Sequence, residues 1–367
     1  MLLAACTTPP AIEETSIEIT KGETNPLTFS STLDTGQYQL YPNNQEIVTI
    51  ETGLSVKGVN VGTTTVRLIS LTDSLPLDSI QVKVSDPVSD EPYQAADFTT
   101  PGLFTSGIEG PAFGPDGMLY VVNFQEKGTI GKVSPDGTAE LFIRLPEGSV
   151  GNGIRFNHAG MMLIADYTNH NVLQVDMNTL NISALAHNEN MNQPNDIAIM
   201  DNDIVFASDP NWQESTGQLW RVNTDGSTIL LEGNMGTTNG VEVSPDNTKL
   251  YVNESVQRNV WVYNLSPEGN ISNKRIFIQF EDFGMDGMRC DAEGNLYITR
   301  HGKGTIAIVS PQGELLQEVQ LTGTRPSNIA FGGEDGKTCY VTLQDRGSIE
   351  IFRSEHPGRA WSMKQAM

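Results

Sequence analysis

The C-terminal two thirds of the chain repeats a pattern of short apolar strands every 41 to 46 residues. An apolar pair inside one strand marks each of six copies, and these pairs begin at Leu119, Leu163, Ile204, Leu250, Leu296 and Cys339. A repeat of about 40–50 residues with four short strands is typical of a propeller blade. The sequence therefore predicts an all-β protein with a six-bladed β-propeller over residues 98–355. A solenoid is less favoured, because a closed propeller needs no capping repeats.

Residues 15–86 follow a different pattern, in which apolar and polar residues alternate in short runs such as Glu46–Ile50 and Ser79–Val84. Alternation with period two, broken by turn residues, predicts an antiparallel sandwich. The stretch from Ile47 to Val66 resembles bacterial Ig-like group 2 domains, so we expect an N-terminal Ig-like β-sandwich. Residues 87–97 are predicted to be a linker, and residues 356–367 a C-terminal tail.

The first residues resemble a bacterial lipobox, Leu3-Ala4-Ala5-Cys6, in which the cysteine thiol is lipidated. Several acyl chains on one terminus anchor a protein stably to a membrane. We therefore expect residues 1–14 to be a lipoprotein signal remnant and tether. The protein is then a lipid-anchored component of the bacterial cell envelope, at the outer membrane or on a periplasmic face. The segment has no basic residues and little apolar length, so we expect the natural start to lie upstream.

The net charge of the chain limits the classes of partner that it can bind. The chain has 22 Lys and Arg against 45 Asp and Glu, a formal net charge of −23. An acidic surface repels phosphate backbones and anionic lipid, so nucleic acid is excluded as a partner and membrane association is expected through the lipid anchor only. No motif indicates a protein partner. Cys290 and Cys339 are expected to be buried free thiols, with a disulfide left open.

One oxygen-bearing residue precedes the marker strand of every repeat by 9 to 11 residues: Glu109, Asn152, Asn195, Asn239, Asp286 and Asn328. Residues at equivalent positions of the innermost strands of a propeller converge on its axis. Two close carboxylates repel each other unless a cation is present. Oxygen ligands favour Ca²⁺, while Zn²⁺, Mn²⁺ and Mg²⁺ stay open. Pairs such as Asn152-Gly153 also occur in ordinary turns, which is the alternative interpretation.

Six stretches match a known family in order and spacing, among them Glu109–Phe113, Gln193–Ile197 and Asp286–Tyr297. They resemble the senescence marker protein/gluconolactonase/luciferin-regenerating family of six-bladed propellers. The resemblance implies that a divalent cation is held by Glu109, Asn239 and Asp286, with Asn195 at the metal or the substrate.

The same resemblance implies hydrolysis of a lactone or similar ester, with Asp286 as general acid/base. Asn195, Gln193 and Asn152 are expected to contact substrate. Animal members carry Arg at the position of Gln193, so specificity for sugar lactones does not follow. Two other functions stay open: a non-catalytic binding propeller with a structural cation, and a phosphotriesterase-like hydrolase.

Overall fold

The computed structural model describes residues 9–33, 36–51, 54–60, 62–85 and 91–361. The chain divides into two compact units, Met1–Val88 and Ser89–Met367. The lipidation candidate Cys6 lies outside the described residues, as do residues 362–367 of the predicted tail. Within the described ranges we find no helix with the length and apolarity that crossing a bilayer requires.

The first unit contains two sheets that share one apolar core. In chain order its strands are β1 (Ser16–Thr20), β2 (Thr24–Pro26), β3 (Tyr38–Pro42), β4 (Val48–Glu51), β5 (Ser55–Gly58), β6 (Gly62–Ser70) and β7 (Pro76–Ser85). One sheet has the order β1-β7-β6-β3 and the other β2-β5-β4. Buried residues from both sheets, such as Val56 and Val66, belong to the same core.

Alternation along these strands decides which side chains enter that core. In β7, Ile80 and Val82 are buried while Gln81 between them is exposed, as expected when successive side chains point to opposite faces. One pairing differs from the predicted antiparallel sandwich, because β1 pairs with β7 in parallel. The long stretch of chain between these two strands allows a parallel pairing, which a tight hairpin does not.

Over residues 91–361, the second unit forms six four-stranded antiparallel sheets. The first two contain β9 (Phe104–Phe113), β10 (Leu119–Phe124), β11 (Thr129–Val133) and β12 (Ala139–Arg144), then β13 (Gly151–Phe156), β14 (Met162–Asp166), β15 (Asn171–Val175) and β16 (Ile182–His187). The next two contain β17 (Ile197–Ile199), β18 (Val205–Asn211), β19 (Thr216–Val222) and β20 (Thr228–Met235), then β21 (Thr238–Val243), β22 (Lys249–Glu254), β23 (Asn259–Leu265) and β24 (Ile271–Gln279). The last two contain β25 (Met288–Cys290), β26 (Leu296–Arg300), β27 (Thr305–Val309) and β28 (Leu315–Gln320), then β29 (Pro326–Gly332), β30 (Thr338–Leu343), β31 (Ser348–Arg353) and β8 (Ala96–Asp97).

Burial changes steadily across each sheet. The second strands β10, β14, β26 and β30 are buried along their whole length, whereas the fourth strands β12 and β28 are largely exposed. The repeat markers lie in the second strands, except that Ile204 directly precedes β18. The first strands contact one another in a closed cycle, from β9 through β13, β17, β21, β25 and β29 back to β9. This arrangement is a β-propeller, in which the first strands surround the axis.

The last sheet is completed by a strand from the start of the unit. β8 pairs with β31 through the Asp97–Glu350 and Ala96–Ile351 positions, although residues 87–97 are predicted to be a linker. Arg346 donates a hydrogen bond of 2.8 Å to Asp97. The β8–β31 pairing and the Arg346–Asp97 hydrogen bond are among the contacts that join both ends of the unit, and so short a strand leaves no alternating pattern for sequence reasoning to detect.

Candidate functional site

The six in-phase residues lie at the same end of the first strands, and we call them the polar ring. Glu109, Asn152, Asn239 and Asn328 lie within β9, β13, β21 and β29. Asn195 and Asp286 lie two residues before β17 and β25. Each ring residue therefore comes from a different sheet, and the closed cycle of first strands places the six positions around the axis.

A glycine next to a ring residue lets the neighbouring sheet approach closely. A Cβ atom on Gly110 would lie 1.9 Å from the Asn152 carbonyl oxygen, and one on Gly287 would lie 2.0 Å from Asn328 Cγ. A Cβ on Gly240 would lie 2.4 Å from the Asp286 carbonyl oxygen. Any larger residue would separate the strands, so the glycines that look like turn formers in the sequence are needed for contact between sheets.

Irregular pairing turns the ring side chains toward the axis. The register between the first and second strands shifts near Glu109, between Gly151 and Ile154, and between Thr238 and Val241. Each shift is a β-bulge or a similar irregularity, and such features commonly re-aim a side chain beside a site. The ring positions Asn152 and Asn239 fall inside two of these shifts.

Glu109 joins the last sheet to the first. Its Oε2 atom accepts hydrogen bonds from the Gly110 backbone N–H at 2.6 Å and from Asn328 Nδ2 at 2.9 Å. Burial and the negative charge of Asp196 raise the pKa of Glu109 to about 7, although these two hydrogen bonds oppose the shift. The carboxyl group is thus fixed in orientation but lacks a positive partner at short range.

Asp286 is the second acid of the ring and is half-buried. Its backbone is held by the Asn253 side chain, whose Nδ2 donates to the Asp286 carbonyl at 2.6 Å. Burial raises the pKa of the Asp286 carboxyl well above its usual range, and the charges of Glu109 and Asp196 raise it further. A hydrogen bond from Asn239 acts in the opposite direction. Three acids therefore repel one another within one small volume.

Two amide oxygens of the ring are buried without a hydrogen-bond partner. They are Oδ1 of Asn195 and Oδ1 of Asn239, in side chains that are 5% and 3% exposed. Buried polar atoms are nearly always paired, so unpaired oxygens beside crowded carboxyls fit an oxygen-liganded cation. Across the described ranges, no three His, Cys, Asp or Glu side chains are grouped to hold a metal. The fit therefore depends on amides combined with the two carboxyls.

Asn152 and Asn328 have other roles in the ring. Asn328 uses its amide to hold Glu109, and its own Oδ1 accepts the Ile329 backbone N–H at 2.9 Å. The Asn152 carbonyl packs against Gly110, and the residue is half-buried. Both are thus engaged at the ring, and neither has an unpaired oxygen like those of Asn195 and Asn239.

Gln193 lies next to the ring in a segment held by a buried acid. Asp209, which is 1% exposed, accepts backbone hydrogen bonds from Asn192 and Gln193 at 2.9 and 2.5 Å. Tyr167 lies near this segment: burial raises the pKa of Tyr167, the Asp286 charge adds to the effect, and hydrogen bonds from Trp212 and Gln193 oppose it. These side chains form a wall beside Asp286.

Sequence reasoning did not identify Asp196 or Tyr167 as site residues. Asp196 is 1% exposed and lies within hydrogen-bond distance of two arginines, with Arg155 Nη1 and Arg289 Nη1 each at 3.4 Å. It directly follows Asn195, so it lies one residue outside the position that the six ring residues share in their repeats. Tyr167 follows the second strand of its sheet, outside the equivalent positions that define the polar ring.

A propeller with a ring of acids and amides at one mouth of its channel is typical of several enzyme and binding families. Here the chain belongs to the SMP-30/Gluconolactonase/LRE-like family, whose model matches residues 108–345. The expected family is therefore confirmed over most of the second unit.

Curated relatives cover the chain unevenly. Gluconolactonase of Zymomonas mobilis is 28% identical over 270 residues, which are 64% of this chain and 75% of that enzyme. The 6-deoxy-6-sulfogluconolactonase of Pseudomonas putida is 29% identical over 148 residues, 38% of this chain and about half (51%) of the relative's length. Diisopropyl-fluorophosphatase of Loligo vulgaris is 24% identical over 285 residues, 69% of this chain and 90% of that enzyme.

Solved structures show the same fold. The calcium-binding protein regucalcin from Agrobacterium tumefaciens aligns with a TM-score of 0.63 at 20% identity, covering 73% of this chain and 96% of that one. An auxiliary nutrient binding protein from Bacteroides thetaiotaomicron aligns with a TM-score of 0.56 at 15% identity and covers 94% of this chain and 97% of its own. At these identities the likeness extends to the fold alone.

We predict that Gly287→Ala destabilises the second unit by roughly 1–3 kcal/mol, because the added methyl group overlaps Asn328 and displaces it from Glu109. Gly233→Ala is the matched control, since a Cβ there meets only Leu230 Cδ2, at 3.8 Å. Urea unfolding followed by tryptophan fluorescence compares the two variants. Equal midpoints would show that Asn328 does not need this space.

Proposed function

We propose that this protein is a divalent-metal-dependent hydrolase of a lactone or related ester, built on a six-bladed β-propeller. The observation that carries the proposal is the polar ring, in which two crowded carboxyls lie beside two unpaired amide oxygens. The gluconolactonase relatives support the reaction class, and the ring supplies residues suited to it. The six sheets are then the six blades.

Glu109, Asn195, Asn239 and Asp286 are the residues that would hold the cation. All four offer oxygen atoms, which favours Ca²⁺. Zn²⁺ is less favoured because it prefers nitrogen and sulfur ligands, and Mn²⁺ and Mg²⁺ stay open. A bound divalent cation would polarise the substrate carbonyl and stabilise negative charge on its oxygen. Asn328 would orient Glu109 for this task.

Asp286 would handle the proton in hydrolysis. Its carboxylate would accept a proton from the water that attacks the carbonyl carbon of the lactone. The bond from that carbon to the ester oxygen of the lactone then breaks, and Asp286 returns the proton to this leaving oxygen. The products are one carboxylic acid and one hydroxyl group on the same molecule, so atoms and charges balance. Such a positioned acid/base typically contributes a rate factor of about 10²–10⁴.

Substrate would be oriented by the wall beside Asp286. Gln193 and Asn152 supply amide groups that donate and accept hydrogen bonds, while Tyr167 adds a hydroxyl group and Trp212, 38% exposed, an aromatic face. Gln193 cannot pair with an anionic group as an arginine does. We therefore infer that the substrate is a neutral lactone, either of a sugar or of another hydroxy acid.

Two alternatives remain distinguishable from this proposal. A phosphotriesterase-like hydrolase is favoured by the similarity to diisopropyl-fluorophosphatase over 69% of this chain, and it would prefer a fluorophosphate ester to every lactone. A binding propeller with a structural cation would bind metal without hydrolysing either class.

We expect Asp286→Asn to lower the turnover of a responsive lactone by about 10²–10⁴, because the amide cannot accept the proton from water. The matched control is Asp225→Asn, which changes an exposed acid in the turn between β19 and β20, where asparagine is equally suited. Turnover is measured by acid release across a lactone panel, at saturating Ca²⁺. Full activity in Asp286→Asn would remove this residue from the mechanism.

Calcium should stabilise the second unit by about 2.7 kcal/mol at one hundred times its dissociation constant, since it binds only the folded state. Asn239→Ala removes one of the unpaired oxygens and should abolish most of this gain, whereas Asn190→Ala, at an exposed turn, should keep it. Differential scanning calorimetry with and without a chelator measures both. An equal gain in the two variants would place the cation elsewhere.

We further propose that the first unit is an Ig-like spacer and that Cys6 carries the lipid anchor of an envelope protein. The alternating strands of the first unit and the lipobox-like residues support this assignment. In cells that express the native gene, labelled palmitate should be incorporated into the protein and lost in Cys6→Ser but not in Thr8→Ser. Unlabelled wild-type protein in the soluble fraction would contradict the anchor.

A further inference from the structure

A cavity of about 530 Å³ lies at the opposite end of the first strands from the polar ring. Its lining includes Arg155, Glu242 and Arg289, each three residues after the ring position of the same sheet. Three residues along a strand span about 10 Å, so this lower cavity is separate from the ring. Its volume lies within the range of about 300–1,000 Å³ that is common for small-molecule sites.

Three buried arginines lining the lower cavity have donors without acceptors. Arg155, Arg289 and Arg359 are 9%, 8% and 6% exposed. No hydrogen bond is formed by Nη2 of Arg155, Nη2 of Arg289 or Nε of Arg359. The Arg155 Nη2 atom lies 3.6 Å from Glu242 Oε2, which is an ion pair beyond hydrogen-bond length. Leaving several charged donors unsatisfied in the interior is costly, so an acceptor is missing from this arrangement.

The charges around the lower cavity point to an anion. The three guanidinium groups face two buried carboxylates, Asp196 and Glu242, so buried positive charge exceeds buried negative charge by one. Asp201, which pairs with Arg359 at 3.0 Å, has a side chain that is 51% exposed, and water screens it. Burial and the charge of Arg289 lower the pKa of Arg155 to about 10, which agrees with crowding of like charges.

The remaining walls are mostly apolar and include four aromatic side chains, Phe113, Phe156, Phe331 and Trp361, beside the polar Asn157 and His158. Aromatic walls contribute binding energy to a planar apolar body. The cavity therefore combines a positively charged end with an apolar enclosure.

We propose that the lower cavity is a second ligand site, which binds a small aromatic monocarboxylate with its carboxylate against Arg155 and Arg289. The Nη2 atoms of Arg155 and Arg289 have no acceptor, and a carboxylate would supply one charge-assisted hydrogen bond to each arginine. One negative charge balances the excess positive charge. The site is independent of the lactone chemistry proposed for the ring.

Calorimetric titration of the full-length protein with phenylacetate tests the proposal. Saturable binding is expected for phenylacetate, together with at least tenfold weaker binding of phenylacetamide, which lacks the charge, and of gluconate, which lacks the apolar body. Absence of saturable phenylacetate binding, or equal binding of phenylacetamide, would overturn the proposal.

Variants locate the binding. Arg155→Gln should weaken phenylacetate binding roughly tenfold or more, because charged hydrogen bonds are lost. Ala360→Trp should do the same by filling the cavity entrance, and Ala360 is exposed, so folding is not at risk. Arg144→Gln, at an exposed arginine of β12, is the matched control and should bind normally. If Arg155→Gln does not fold, Ala360→Trp alone decides, and unchanged binding there would refute the site.

Discussion

Close approach of the first strands at their glycines is the constraint on which the rest of the second unit depends. Gly110, Gly240 and Gly287 each leave a space that a neighbouring sheet fills with backbone or an amide group. Side chains from sheets far apart in sequence can then touch, as Asn328 and Glu109 do. The same contacts close the cycle of sheets and build the polar ring, so the architecture and the candidate site share one physical cause.

Charge is arranged in layers along the channel. The carboxyls of Glu109 and Asp286 lie at one mouth, Asp196 lies next, and the guanidinium groups of Arg155 and Arg289 follow. Asp196 compensates the arginines but raises the pKa of both ring carboxyls. The ring therefore keeps crowded carboxyls and unpaired amide oxygens, and the lower cavity keeps unpaired guanidinium donors, which is why we propose a cation at the ring and an anion in the lower cavity.

Much of the candidate site could be predicted from equivalent positions in the six repeats. The residues that could not be predicted lie outside these positions for a physical reason. Asn239 and Asp286 are predicted from the sequence because each repeat carries a polar residue at the same place before its marker strand. Arg155 and Arg289 recur three positions later and could have been found by the same alignment. Arg359 could not, because it reaches the channel from the end of the chain, where it donates to the Ile199 carbonyl at 3.0 Å. No repeat marks such a segment.

The sequence by itself determined the repeat, the apolar alternation and the residue types at each phase, since these follow from local strand geometry. Only the tertiary structure decided which polar atoms are paired. Asn328 and Asn239 look equivalent in the sequence, yet one amide holds Glu109 while the other leaves its oxygen unpaired. That difference depends on the distances between sheets. A hydrogen bond forms only within a narrow range of distances, and the sequence repeat contains no information about these distances.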